Sequence, residues 1–128
     1  MRIIETAAAP VGNAAGRFPF SQAVVAGGLV FVSGQGPFDP ATGAIVGSTI
    51  QEQTRQALTN VRAILEAAGS SMDRIVNVTF ILTRPDDFAG LNEEWSRWFP
   101  EDPPSRSGAR HPLQVENLLI SLAAIAEA

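Results

Sequence analysis

Apolar residues recur along this chain with two periods, and the points where the period changes mark its elements. From Ala23 to Ser33 the run Ala-Val-Val-Ala-Gly-Gly-Leu-Val-Phe-Val-Ser forms two β-rich stretches around Gly27-Gly28. Such a pair is what a two-residue hairpin turn demands. A period near 3.6 then takes over: Ile50, Thr54, Ala57, Leu58, Val61, Ile64, Leu65 and Ala68 share one face of a predicted helix. Thr49 and Glu52 supply a capping box at its start and Gly69 a left-handed stop at its end. From Ile75 to Leu82 the period returns to two, with Val76, Val78, Phe80 and Leu82 set against Asn77 and Thr79, which predicts a half-buried strand. A second helix follows, with Thr83 as its cap and Pro85 just inside it, and Phe88, Leu91, Trp95, Trp98 and Phe99 form its apolar stripe. Pro100, Pro103 and Pro104 end it, a further strand begins near Arg106, and a last strand runs from about Leu118 to Ala126.

The remaining stretches are turn-rich. A short strand at Ile3-Ile4 precedes an irregular arm reaching about Phe20, and the segment from Gly36 to Gly43 is loop by composition. The expected architecture is α+β, a mixed sheet with two helices packed on one face. The last strand is apolar on both sides apart from Ser121, so the second sheet face needs a cover, and a symmetric oligomer is the economical one. The polar residues Gln51, Gln53, Arg55, Gln56, Arg62 and Glu66, and the acid pairs Asp86-Asp87 and Glu93-Glu94, read as solvated surface. Both tryptophans read as core.

Composition narrows the function. A length of 128 residues with 45% hydrophobic content is expected to make one domain, spanning 1–128. A formal net charge of −4 leaves no basic field for a phosphate backbone, so nucleic acid is not an expected partner. Zero cysteines remove thiol nucleophiles and thiolate metal sites, and a single histidine, His111, argues against a protein-built metal centre. No apolar stretch is long enough for a membrane span, and a cytoplasmic location is the default.

Serine-nucleophile elbows and phosphate-binding glycine loops are missing from the sequence. What stands out is Pro104-Ser105-Arg106-Ser107-Gly108, one arginine among small residues, whose planar fork suits a small carboxylate. Polar, backbone-rich loops are expected at Phe20-Ser21-Gln22 and Ser33-Gly34-Gln35. Together with Asp39-Pro40-x-Thr42-Gly43, Gln53-Thr54-x-Gln56-Ala57-Leu58-x-Asn60 and Asp87-Phe88-Ala89-x-x-Asn92, these segments resemble the RidA or YjgF-like reactive-intermediate (imine/enamine) deaminases over nearly the whole chain.

The resemblance implies a chorismate-mutase-like fold assembled as a homotrimer with clefts between subunits. It implies that Arg106 binds the carboxylate of a small 2-imino or 2-enamino acid and that Phe20, Ser33, Gly34, Asn92 and Gly108 line the pocket. It also implies hydrolysis of the C=N bond to a 2-oxo acid and ammonia, with no metal or organic cofactor. Three positions depart from the family pattern: Phe20 replaces a usual tyrosine, Gly108 a frequent cysteine, and Ala123 aligns with a glutamate thought to position water. A deaminase with Glu116, His111 or a backbone-held water in place of that acid is one reading. A noncatalytic trimer that binds small carboxylates, or an interaction or chaperone-like member, is the other.

Overall fold

The computed structural model describes residues 1–12 and 16–128. Among these, six strands form one sheet: β1 (Arg2–Ile4), β2 (Ala23–Ala26), β3 (Leu29–Gln35), β4 (Ile75–Leu82), β5 (Ser105–Arg110) and β6 (Ile120–Glu127). Their order across the sheet is β1-β2-β3-β6-β4-β5, all antiparallel except the β4–β5 pair. Two helices, α1 (Ile50–Ala67) and α2 (Phe88–Trp98), cover one face. The mixed α+β architecture therefore follows the sequence pattern. Among the described residues no helix is long and apolar enough to cross a membrane.

Local chemistry explains the element ends. Gly27 and Gly28 both take positive φ, 60° and 77°, so the β2–β3 turn has the handedness that matches strand twist. At the start of α1, the Glu52 N–H donates to Thr49 Oγ1 at 3.2 Å and the Thr49 N–H donates to Glu52 Oε1 at 3.1 Å. Gly69, at φ 82°, terminates the helix in a conformation that costs an L-residue.

Helix α1 buries Ala57, Leu58, Val61, Ile64 and Leu65 against β3 and β6, whose inward residues include Val30, Ile120, Leu122, Ala124 and Ala126. Each fully buried Leu, Ile or Val contributes on the order of 1.5–3 kcal/mol relative to exposure. Among the described residues the opposite sheet face carries no helix. There the cross-strand register lines up Ile3, Val24, Phe31 and Ile125 over four strands. Ile3 and Phe31 remain 54% and 40% exposed, which makes this a bare apolar row rather than scattered surface residues.

Several expectations are corrected. Gln53 is buried, not solvated, because, like the equally buried Asn60, it satisfies backbone groups of loops. The Gln53 amide donates to Gly47 O and Asn117 O, at 3.2 and 2.9 Å, and accepts from the Leu119 N–H at 2.8 Å. Asn60 donates to Gly36 O and Phe38 O, at 3.0 and 2.9 Å. Glu94 is buried because Arg55 closes a fork on it at 3.0 and 3.2 Å and Trp98 Nε1 donates at 3.0 Å. Asp87 is buried under the Arg84 fork. Pro85 opens a separate 3-10 turn, Pro85–Asp87, and α2 starts at Phe88. Thr83 caps no helix; its hydroxyl donates to Leu118 O at 3.1 Å. That bond and the Gln53 clamp hold Leu118 and Leu119 outside the ladder, so β6 begins at Ile120.

Candidate functional site

Arg106 sits on β5, the edge strand that α2 delivers parallel to β4. The register pairs Val78 with Arg106 and Phe80 with Gly108, which places both on the helix-covered side. There α2 presents Phe88, Asn92 and Trp95, spaced i, i+4, i+7 on one face. The Arg106 guanidinium carbon lies 5.1 Å from the Phe80 ring centre, 5.6 Å from Phe88 and 5.1 Å from Trp95. One of its terminal nitrogens donates to Asn92 Oδ1 at 2.7 Å.

Three ring faces around one cation supply quadrupole attraction and strip away part of its hydration. Burial pushes the Arg106 pKa below its ordinary value, yet a guanidinium starts so high that it stays charged. Among the described residues Arg106 makes no salt bridge, whereas Arg55, Arg84 and Arg97 each do. A partly desolvated cation, fixed in direction and lacking a carboxylate of its own, has the chemistry to receive an external anion. Gly108 belongs to the same arrangement. A Cβ there would overlap the Phe80 ring, so glycine lets that ring lie across β5 beneath the guanidinium.

A second group gathers at β2 and β3. The segment Ser33-Gly34-Gln35, expected as a loop, lies in β3 at an irregularity in register between Val32 and Gln35. The Ser33 hydroxyl donates to Ser21 O at 2.6 Å and its N–H to Gln22 O at 2.9 Å, so the two quoted segments are bonded to each other. Because the Ser33 proton is committed to Ser21, its oxygen retains a lone pair for a ligand or water. The buried Gln22 amide ties down the arm, exchanging bonds with Thr6 at 2.7 and 3.0 Å and donating to Pro10 O at 2.8 Å. Phe20 is 45% exposed and stacks on Phe18 at 5.9 Å. Gly34 stands where a Cβ would come 3.3 Å from Ser121 Oγ. A cavity of about 550 Å³ opens here, and Phe20 and Gly34 are part of its wall.

Ala123 lies further along β6, opposite Thr79, and the β6 side chain beside Gly34 is Ser121. Glu116 and His111 are exposed and are not part of the cavity wall.

The sequence-derived site residues thus form two groups. Arg106, Asn92 and Gly108 meet at the β5 edge on the helix side; Phe20, Ser33 and Gly34 meet at β3, with Ser121 facing the bare side. Strands β6 and β4 separate them, three interstrand spacings or roughly 14 Å. Phe80, Phe88, Trp95 and Ser121 are site neighbours that sequence reasoning missed. The three aromatic residues read as ordinary core by period, and only the Phe80–Gly108 register and the α2 face reveal otherwise; Ser121 is revealed by its place beside Gly34.

Residues 11–128 match the family model described as endoribonuclease L-PSP. A RutC family protein of Pyrococcus horikoshii is 43% identical over 122 residues, covering 95% of this chain and 92% of that protein. The 2-iminobutanoate/2-iminopropanoate deaminase of Capra hircus is 38% identical over 106 residues, covering 83% and 74% of the two chains. Among solved structures, RidA from an Antarctic Psychrobacter species superimposes with a TM-score of 0.90 at 31% identity, covering all of both chains. Escherichia coli TdcF with bound serine superimposes with a TM-score of 0.87 at 36% identity, covering 100% of this chain and 99% of that one.

Proposed function

The chain belongs to the endoribonuclease L-PSP family, that of the RidA and YjgF-like proteins, and from that membership we propose that it hydrolyses 2-imino or 2-enamino acids to 2-oxo acids and ammonia. The observation that carries this reading is Arg106, a caged cation with no carboxylate of its own. It pairs with the substrate carboxylate, and Asn92 fixes the plane of the fork. Water adds to the C=N carbon, the nitrogen takes protons, and the C–N bond of the carbinolamine breaks to leave a C=O group and ammonia. An imine is intrinsically reactive toward water, so holding it in one orientation supplies much of the acceleration. The Ser33 lone pair and the Ser121 hydroxyl are the polar groups that hold water against it.

The site is completed between copies of the chain in a homotrimer. Two facts support this: the two residue groups are three strands apart within one chain, and the row Ile3, Val24, Phe31, Ile125 leaves an apolar sheet face to cover. In the trimer Arg106 of one protomer faces Gly34 of its neighbour. Soluble cytoplasmic residence, a single domain over 1–128, and a small carboxylate as the partner belong to the same proposal.

A second reading is favoured by one observation. Among the described residues Asp39 is the one acid in the cavity wall, and the Ala41 and Thr42 N–H groups already occupy its carboxylate at 2.8 and 3.0 Å. Without a free carboxylate to activate water, the trimer binds small carboxylates and turns nothing over. The test is release of ammonia and pyruvate from 2-iminopropanoate generated in situ, with native mass measured on the same sample. Acceleration over the spontaneous rate at three times 13.5 kDa is expected. A trimer that binds pyruvate without acceleration selects the second reading, and a stable monomer contradicts both.

A further inference from the structure

The cavity beside Gly34 is much larger than a methyl or ethyl side chain requires. Its volume of about 550 Å³ falls in the range of sites that enclose drug-sized ligands. Val11, Phe18, Phe20 and Phe38 contribute its apolar wall. Phe18 and Phe20 are stacked with ring planes 20° apart and are 43% and 45% exposed, a large aromatic area left facing the opening. On the far side, Gly36 leaves room for the Phe38 ring, which a Cβ at that position would meet at 2.6 Å.

Among the described residues the charges on the wall are one Arg17 and one Asp39. Asp39 already accepts two backbone N–H groups, and those bonds hold its carboxyl below the usual range, so it stays anionic. Arg17 lies over the Phe18 ring at 6.0 Å. A wall with one charge of each sign recruits neither an acidic nor a basic tail. Its aromatic area is what remains unmatched.

We infer that the preferred substrates carry a bulky, uncharged, apolar or aromatic side chain, seated among Phe18, Phe20 and Phe38. This rests on the reading of Arg106 as the carboxylate anchor, and it adds which imino acids that anchor receives. An aromatic tail offers ring faces to the Phe18–Phe20 stack in the offset geometry that such rings prefer.

Binding of four 2-oxo acids to the protein, measured by calorimetry, tests the inference: pyruvate, 4-methyl-2-oxopentanoate, phenylpyruvate and 2-oxoglutarate. Phenylpyruvate and 4-methyl-2-oxopentanoate are expected to bind at least about tenfold more tightly than pyruvate, since one methylene in an apolar pocket is worth that much. Phe18→Ala, at an exposed position that folding tolerates, is expected to reduce the phenylpyruvate-to-pyruvate ratio to about threefold or less, and Phe20→Leu to lower it partway. Equal binding of all four acids, lost in Arg106→Ala, overturns the inference while leaving the anchor intact. Preference for 2-oxoglutarate, lost in Arg17→Ala, overturns it in favour of a diacid. Binding of none of the four by the wild-type protein overturns the anchor and the inference together.

Discussion

The two sides of α2 hold two arginines in opposite conditions. Glu94 gives Arg55 a carboxylate fork at 3.0 and 3.2 Å, and that bond raises the Arg55 pKa. Two residues earlier, Asn92 gives Arg106 a neutral oxygen at 2.7 Å, and burial lowers the Arg106 pKa. Arg55 is a finished structural clamp between the helices. Arg106 is oriented by rings and an amide but left with its charge unanswered. One helix thus builds a support and a receptor with the same cation, and the partner's charge decides which.

The comparison breaks most completely if Arg106 is given an acid of its own. Asn92→Asp is expected to make Arg106 resemble Arg55, weakening 2-oxo acid binding by about 100-fold or more, because a charge-assisted bond within the chain competes with the ligand. Calorimetry reads that loss, and an unchanged affinity would mean the ligand carboxylate binds elsewhere. On the Arg55 side, Glu94→Ala removes charged hydrogen bonds from Arg55 and Trp98 and is expected to cost about 2–3 kcal/mol of unfolding free energy, read from urea denaturation. Gly108→Ala pushes the Phe80 ring from beneath the guanidinium and is expected to weaken binding about fivefold, for the ~1 kcal/mol at the low end of what overpacking costs.

The smallest effect is a pH dependence. Burial raises the Glu94 pKa, but hydrogen bonds from Arg55 and Trp98 outweigh it and leave the carboxyl below its ordinary value. The unfolded chain therefore binds the proton first as pH falls. Glu94 contributes stability in full above its unfolded value of ~4.3, and that contribution disappears as pH drops through the lower folded value. The stability difference between wild type and Glu94→Gln is expected to hold from pH 7 to 5 and to shrink below that, checked by Tm measured at pH 7, 5 and 3.5.

What the sequence could carry follows from where each partner lies. The Gly27-Gly28 turn, the Thr49–Glu52 box and the Gly69 stop depend on neighbours within a few residues, and all three stand as read. Gln53 and Glu94 looked like surface because their partners lie far along the chain, at Asn117, Leu119 and Arg55. No local period reports such a bond. For the candidate site, Arg106, Asn92, Ser33 and Gly34 were named by ordered motif matches. The aromatic cage was not, since Phe80 in a strand and Trp95 on a helix obey the same alternation that any core obeys. The separation of the two groups was hidden as well, because strand order is a tertiary fact.

The unanswered charge on Arg106, and not arginine on this surface in general, is expected to hold the ligand carboxylate. The direct test is calorimetric binding of phenylpyruvate and pyruvate to wild type, Arg106→Ala and Arg55→Ala, each verified as folded and of the same native mass. Arg106→Ala is expected to lose at least about 30-fold in affinity for both acids, as removal of one partner from a sheltered charged pair does. Arg55→Ala is expected to bind both within about twofold of wild type while unfolding at lower urea. Equal affinity in wild type and Arg106→Ala would contradict the account.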